Sequence, residues 1–459
     1  MSSLNDTFDV DELIDDSPIG KLQILVLLLG TMVIFVDGFN IQVMGYIAPQ
    51  LAKAWHLPNE LLGPIFSSGL FGVFGGYLFL APISGRVGHR LMIIACTAIV
   101  GMLTLLTTLV HDAYALMALR FITGLALGAT NPSAVSIIAD FCPKHRRSTF
   151  VVIGICGVSL GSMVAGLAAA MLMASYGWEA VLIIGGALPL VLAAILIIAL
   201  PDSLEYLVKK KGGSAPETLA LARRIAPNRT FIAGTKFSFS QKASGAVTQI
   251  FVEGRLSGTL AIWIGFTANL LVYYFVQSWL TTLIIAAGHT QQVAVSATTM
   301  LAAGGVLSIF AVGPLMDKYQ PFKVIGFFFV VGSTCVALLG SLLAASVPIV
   351  LVASFLAGFT VLGVQKGMNA VAVHFYPTPL RSTGLGWGLG IGRLGAVAGP
   401  LVAGILMQGG QASATLFYFA AISMLAGATA MFFMAARYGK RLKEFSQLGD
   451  RHDAVRILP

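Results

Sequence analysis

The chain has 459 residues, of which 57% are hydrophobic and only 10% are charged, and its formal net charge is +9. Soluble domains carry roughly 25% charged residues, whereas this sequence repeats apolar runs of about 20 residues, so a soluble globular protein is excluded. The basic excess lies mostly between the apolar runs, which indicates membrane orientation and argues against nucleic-acid binding.

Apolar windows of about 20 residues predict twelve transmembrane helices in an all-α integral membrane protein. These windows begin near residues 21, 61, 91, 113, 148, 180, 256, 292, 322, 347, 382 and 412. An even number of crossings places both termini on one side of the membrane. Most of the 28 Lys and Arg residues fall in the tails and in alternate loops, so both termini are expected to be cytoplasmic.

Two sequence stretches repeat at about half the chain length. "FCPKHRRST" at 141–149 matches "FYPTPLRST" at 375–383, and "PISGRVGHR" after the second helix matches "PLMDKYQPF" after the eighth. The repeats predict two pseudo-symmetric six-helix halves, an arrangement that in transporters places the substrate path between the copies. The predicted segments are an acidic tail (1–20), a first bundle (21–201), a polar linker (202–255), a second bundle (256–436) and a basic tail (437–459).

Four ionisable side chains are expected well inside the membrane: Asp37, Arg120, Lys366 and Arg393. Charged residues at this depth are costly and usually mark functional positions. At about 1.5 Å per residue, Arg120 lies roughly 10 Å and Asp37 roughly 13 Å below the outer surface, so the two are expected at similar height. Lys366 lies nearer the cytoplasmic side and is able to snorkel towards it.

The two arginines are specific to one half each. The repeat partner of Arg120 is Ser354, and that of Arg393 is Ser159. This asymmetry favours a ligand or an ion pair over a shared architectural role, because a guanidinium holds a carboxylate through two parallel hydrogen bonds. A static ion pair between Arg120 and Asp37 is the alternative.

Aromatic side chains inside the predicted helices are candidates for the walls of a cavity that accepts a flat acid. They are Phe39, Tyr273, Tyr274, Trp279 and Trp387. Interface belt or core packing is the competing interpretation for each of them. The four cysteines have neither paired nor metal-ligand spacing and are interpreted as small core residues. No metal and no cofactor is expected.

The predicted halves, the basic loop after the second helix and "RFITGLALG" in the fourth helix resemble the major facilitator superfamily. More narrowly, "DGFN", "YIAPQL", "NPSAV" and "YPTPLRSTGLGWGLGIGRLGAVAGP" resemble the aromatic acid:proton symporters. That group imports 4-hydroxybenzoate, benzoate, vanillate and related acids. The resemblance covers nearly the whole chain outside the linker core.

The resemblance implies roles for individual positions. The family's helix 1 motif D-G-x-D falls on Asp37, Gly38, Phe39 and Asn40. Its helix 4 and helix 11 arginines fall on Arg120 and Arg393, its helix 10 glutamine on Gln365, and its aspartate between helices 8 and 9 on Asp317. Asn40 departs from the motif, since an amide carries no proton. Gly85 also departs, since the family usually has an aspartate before Arg86.

These features together predict proton-coupled import of a small aromatic carboxylate by alternating access. Arg120 would hold the carboxylate, Asp37 would carry the coupling proton, and the remaining substrate-binding candidates are Arg393, Gln365, Phe39, Asn40, Tyr273 and Trp387. Arg86, Arg90 and Asp317 would take part in cytoplasmic gating. The expected partners are the acid, protons and the lipid bilayer, for a monomer in the bacterial inner membrane.

Three alternatives remain open at this point. The first is an exporter of the same superfamily that moves drugs or other metabolites by proton antiport. The second is a membrane enzyme, which is disfavoured because the seven histidines are scattered and none pairs at catalytic spacing. The third is a transporter-like receptor without net flux. Which aromatic acid is carried stays undetermined.

Overall fold

A computed structural model of the chain describes residues 7–58, 61–227, 229, 231, 235–238, 247–252, 254–376, 380–409 and 411–455. The side chains of residues 144, 145, 148, 317, 381, 382 and 440–455 lie outside this description. The described elements in chain order are β1 (Thr7–Asp9), α1 (Val10–Asp15), α2 (Lys21–Ala54), α3 (Leu62–Gly75), α4 (Ala81–Val87), α5 (His89–Leu106), α6 (Ala113–Asp140), α7 (Lys144–Ala199), α8 (Leu204–Lys211), α9 (Pro216–Ile225), β2 (Lys236–Ser238), α10 (Leu256–Ala286), α11 (Gln291–Leu307), α12 (Ile309–Lys318), α13 (Pro321–Ser341), α14 (Val347–Phe375), α15 (Arg381–Gln408) and α16 (Ser413–Val455).

Eleven helical segments among the described residues are long and apolar enough to cross a membrane. A turn of π-helix at Gly76–Leu80 joins α3 to α4 within one such segment, Leu62–Val87. The windows predicted to begin near 148 and 180 fall in a single segment, Thr149–Ala199, because the helical hydrogen bonding continues past a break at Gly177. Gly177 has φ 79° and ψ 177°, a conformation open chiefly to glycine.

The chain divides into two compact units. Unit 1 comprises 1–51 and 68–242, and unit 2 comprises 52–67 and 243–459. In unit 1, α5 packs against α6 and α7. In unit 2, α10 packs against α15 and α16, while α13 and α11 pack against α14. The predicted linker 202–255 is therefore divided between the units, and residues 52–67, from the end of α2 into the first part of α3, group with unit 2.

Close helix packing in unit 1 depends on glycine at one position of α2. A Cβ atom at Gly38 would overlap the backbone carbonyl of Val158 in α7. The absence of a side chain at Gly38 therefore permits the close approach of α2 and α7. Substitution here cannot be relieved by rotating a side chain, because the obstacle is backbone.

The acidic tail and the first part of the linker fold together in unit 1, which the sequence analysis did not foresee. β1 and β2 pair in parallel, with Phe8 opposite Phe237. Asp9 caps α1 by accepting a 2.8 Å hydrogen bond from the Asp11 amide. Val10, Leu13 and Ile14 of α1 are buried in the same core as Leu204, Leu207 and Leu221 of α8 and α9. We call this assembly of β1, α1, α8, α9 and β2 the tail–linker layer.

Candidate functional site

Asp37 lies in the middle of α2, where its side chain is only 4% exposed. The Asn131 amide of α6 donates a 2.7 Å hydrogen bond to Asp37 Oδ2. This contact ties the first and fourth predicted transmembrane helices together inside unit 1. It gives the carboxylate a polar partner at a depth where an ionised group is costly.

The expectation that Asp37 and Arg120 lie at similar height is wrong. The expected depth of roughly 13 Å for Asp37 assumes that its helix ends about nine residues later, near residue 46. α2 instead continues through Pro49 and ends at Ala54. Asn131, which contacts Asp37, follows Arg120 by eleven residues in α6, about 16 Å along the helix axis. Helical side chains lean towards the N-terminus, which directs Arg120 further from Asn131.

Arg120 is a buried guanidinium in α6 with an exposed fraction of 7%. Its Nε and Nη2 atoms are shielded from solvent and have no hydrogen-bond partner among the described residues. A buried donor without a partner costs about 1–3 kcal/mol, and more when the group is charged. The arrangement therefore suits an anionic ligand that supplies two oxygen atoms to one guanidinium edge.

The other two residues of the helix 1 motif are engaged in packing and hydrogen bonding. Asn40 is 1% exposed, and its amide donates to the carbonyls of Val36 and Gly185 at 3.2 and 3.3 Å. Its Oδ1 accepts a 2.9 Å bond from the Thr104 hydroxyl of α5. The Phe39 ring lies beside Gly185 in α7, where a Cβ would stand 2.9 Å from it. These contacts favour a structural role for both side chains.

In unit 2, Arg393 of α15 contacts Tyr274 of α10. Arg393 Nη1 donates a 2.7 Å hydrogen bond to the Tyr274 hydroxyl, and the guanidinium carbon lies 5.9 Å from the tyrosine ring centroid. Tyr273 meets the same ring edge-on, with 4.9 Å between centroids. The structure thus joins three predicted candidates in one cluster. Trp387 is 40% exposed and stacks on Trp263 at 6.2 Å, apart from that cluster.

Helix α14 contributes amide groups to unit 2. Gln365 Oε1 and, one turn later, Asn369 Oδ1 are shielded from solvent and accept no hydrogen bond from the described residues. They share one helix face, because residues four apart lie above one another. Lys366 donates a hydrogen bond to the Gly305 carbonyl of α11. This bond fixes the position of the Lys366 ammonium against a neighbouring helix.

The proposed gating residues differ in their surroundings. Arg90, at the start of α5, donates a 2.7 Å hydrogen bond to the Ile197 carbonyl of α7 and lies 3.6 Å from Asp202. Arg86 is exposed at the end of α4. Asp317 lies in α12, but its side chain is outside the described residues.

Asn131 is the functional candidate that the sequence analysis did not single out. The sequence does mark this position, because the Asn131 amide beside Pro132 interrupts the apolar pattern of α6. A carboxylate inside a membrane needs a polar partner, so each buried amide on a neighbouring helix is a candidate for that partner.

Comparison with known proteins identifies the family. The model of the Major Facilitator Superfamily matches residues 30–343 and 291–450. The chain is 35% identical to a gallate transporter of Pseudomonas putida over 427 residues, which cover 92% of this chain and 94% of that protein. It is also 35% identical to the 4-hydroxybenzoate transporter PcaK of Pseudomonas aeruginosa, over 87% of this chain and 89% of that protein.

A solved structure shares the fold. It is a bacterial homologue of the human lysosomal transporter Spinster in an inward-facing, occupied conformation, with a TM-score of 0.67 and 17% identity over 92% of this chain and 97% of that chain. The matches are to transporters and not to enzymes. The chain therefore belongs to the Major Facilitator Superfamily and is a multi-pass inner-membrane transporter, related to the carriers of gallate and 4-hydroxybenzoate.

Proposed function

We propose that this transporter imports a small aromatic carboxylate together with protons, by alternating access. The observation that carries the proposal is the buried Arg120, whose Nε and Nη2 have no partner among the described residues. The relatives support the substrate class, because they are named for gallate and 4-hydroxybenzoate, both aromatic acids. Arg120 would hold the carboxylate in the bidentate geometry that guanidinium groups favour.

The proposal includes twelve membrane crossings with both termini in the cytoplasm. A 51-residue segment, Thr149–Ala199, is about 77 Å long when helical, more than twice the ~30 Å of the hydrocarbon core. The break at Gly177 supports its division into two crossings. Basic residues concentrated in the tails and alternate loops support the orientation.

Asp37 would carry the coupling proton. An ionised carboxylate accepts hydrogen bonds only, whereas a protonated one also donates. Asn131 donates to Oδ2, and an amide side chain can both donate and accept, so Asn131 is suited to stay bonded in either state. Because Asn40 replaces the second acidic position of the family motif, Asp37 would be the coupling carboxylate of α2.

Arg393, Tyr273, Gln365 and Trp387 remain substrate-contact candidates in unit 2. Arg393 donates to the Tyr274 hydroxyl, which orients its guanidinium. Gln365 Oε1 supplies a buried acceptor that suits a phenolic hydroxyl. Arg86, Arg90 and Asp317 would contribute to gating, and the transporter would act as a monomer.

Uptake into proteoliposomes tests the proposal. Radiolabelled 4-hydroxybenzoate, gallate and benzoate are offered with an imposed gradient that is acidic outside, and accumulation above equilibrium is expected. Asp37→Asn is expected to bind the acid without concentrating it. Equal accumulation with and without the gradient would contradict proton coupling. Net efflux driven by the same gradient would identify the exporter of the alternative hypothesis.

A further inference from the structure

An open groove in unit 2 lies where the start of α13 meets the end of α16. Its volume is about 1000 Å³. Polar residues line one end, namely Lys318, Gln320 and Lys323 beside Gly439, and aromatic residues line the other, chiefly Phe327 and Phe432. We call it the α13–α16 groove.

The groove changes from basic to apolar along both helices. On α13, Lys323 precedes Phe327 by one turn, about 6 Å along the axis. On α16, Phe432 precedes Gly439 by seven residues, about 10 Å. Phe327 is 62% exposed and Phe432 is 44% exposed on helices long enough to span the membrane. A single occupant that contacts both ends needs an anionic head and an apolar tail.

At the polar end of the groove, one side chain connects α13 and α16. The Gln320 amide donates a 3.2 Å hydrogen bond to the Ala435 carbonyl of α16, and a Cβ at Gly439 would overlap that amide. Gln320 is therefore committed to joining the two helices. Lys318 and Lys323 are exposed, and the Lys318 ammonium lies 5.5 Å from the Tyr319 ring centroid.

In unit 1, a side chain of the tail–linker layer covers the positions that are equivalent to the polar end of this groove. The aligned stretches "PISGRVGHR" and "PLMDKYQPF" pair Val87 with Tyr319 and Gly88 with Gln320. In unit 1 the Tyr206 hydroxyl of α8 donates a 2.7 Å bond to the Val87 carbonyl, and its ring lies over Gly88, where a Cβ would stand 2.8 Å away. In unit 2 the equivalent residues, Tyr319 and Gln320, line the α13–α16 groove.

We propose that the α13–α16 groove binds an anionic phospholipid of the cytoplasmic leaflet. Lys318 and Lys323 contact the phosphate-bearing head group, and one acyl chain lies along Phe327 and Phe432. The basic end faces that leaflet in the orientation given under the proposed function, on which this inference rests; it does not depend on the substrate or on proton coupling. Anionic lipids and cytoplasmic basic residues attract each other at this surface.

The size of the groove argues against the transported acid as its occupant. A cavity of roughly 150 Å³ is sufficient for benzene. A benzoate-sized acid would leave most of the α13–α16 groove empty, whereas a lipid head group and acyl chain extend along its whole length. The aromatic end carries the exposed Phe327 and Phe432 on helices of membrane-spanning length, which suits contact with an acyl chain.

Lipid retention by the full-length transporter tests the proposal. The purified protein is placed in nanodiscs of phosphatidylcholine with increasing phosphatidylglycerol, and bound lipid is counted by native mass spectrometry. Selective retention of phosphatidylglycerol is expected. Lys318→Gln with Lys323→Gln is expected to weaken it about 30-fold, the effect of two surface lysines.

The matched control removes two other exposed lysines of the tail–linker layer, Lys209→Gln with Lys236→Gln, and is expected to retain phosphatidylglycerol like the wild type. An equal loss in both double variants would overturn the proposal, because it would indicate nonspecific attraction. Displacement by inorganic phosphate or benzoate would also overturn it, because it would indicate a site for free anions. Transport is not measured, so failure here is distinct from failure of the transport proposal.

Discussion

Replacement of Arg120 by methionine is expected to stabilise the substrate-free transporter while abolishing binding. Arg120→Met removes two buried donors, Nε and Nη2, that have no partner among the described residues. Each such donor costs about 1–3 kcal/mol, so the free energy of unfolding is expected to rise by about 2 kcal/mol or more. Methionine adapts to the space that the arginine stem vacates.

The loss of binding follows from the same geometry. A hydrogen bond to a charged group contributes about 1.5–3 kcal/mol, so removal of two should weaken the affinity for 4-hydroxybenzoate at least about 100-fold. Saturating ligand at 100 times Kd stabilises the wild type by about 2.7 kcal/mol, and this increment should vanish in the variant. Arg120→Lys should fall between the two, because an ammonium keeps the charge but not the bidentate geometry.

Unfolding in detergent, with and without 4-hydroxybenzoate, measures both effects. Arg224→Met is the matched control, because Arg224 is exposed in α9 outside the proposed substrate and gating residues, and its replacement should change neither stability nor binding. If substrate-free Arg120→Met is less stable than the wild type by more than 1 kcal/mol, the reasoning is refuted. Arg120 would then have a structural partner in the substrate-free protein.

Three further predictions concern packing and stability. Asn40→Ala removes the interhelical bonds to Thr104 and Gly185 and should lower the free energy of unfolding by about 1–2 kcal/mol, measured by denaturant titration, with Kd changed less than twofold. Gly38→Ala should cost about 1–3 kcal/mol through overlap with Val158, whereas Gly85→Ala, whose Cβ meets nothing within 4 Å, should not destabilise the protein. Phe237→Ala should cost about 3 kcal/mol within the tail–linker layer and speed proteolysis of the N-terminal tail; unchanged cleavage would contradict that packing.

The intramembrane residues could be predicted from the sequence, but their heights could not. Hydropathy marks Asp37 and Arg120 because a charge within an apolar run is costly. The end of α2 was misplaced because Pro49, Gln50 and Lys53 reduce hydropathy without ending the helix. Which buried amide meets Asp37 depends on the crossing of α2 and α6, and that packing is not encoded in either helix alone.

The tail–linker layer was missed for a different reason. Its strands have three residues each, and their pairing joins positions 229 apart in the sequence. Short strands carry weak local signals, and loop closure over such a distance leaves no periodic pattern to read. The acidic composition of the first 20 residues also concealed Val10, Leu13 and Ile14, which are spaced for one buried helical face.

The parallel pairing of β1 with β2 imposes an order on biosynthesis. β1 leaves the ribosome before its partner, which begins 229 residues later. At about 5–20 residues per second, β1 waits roughly 10–45 s for Lys236–Ser238 to be synthesised. By then every membrane helix of unit 1 has been translated, so closure of the strand pair occurs only after that half of the chain is complete.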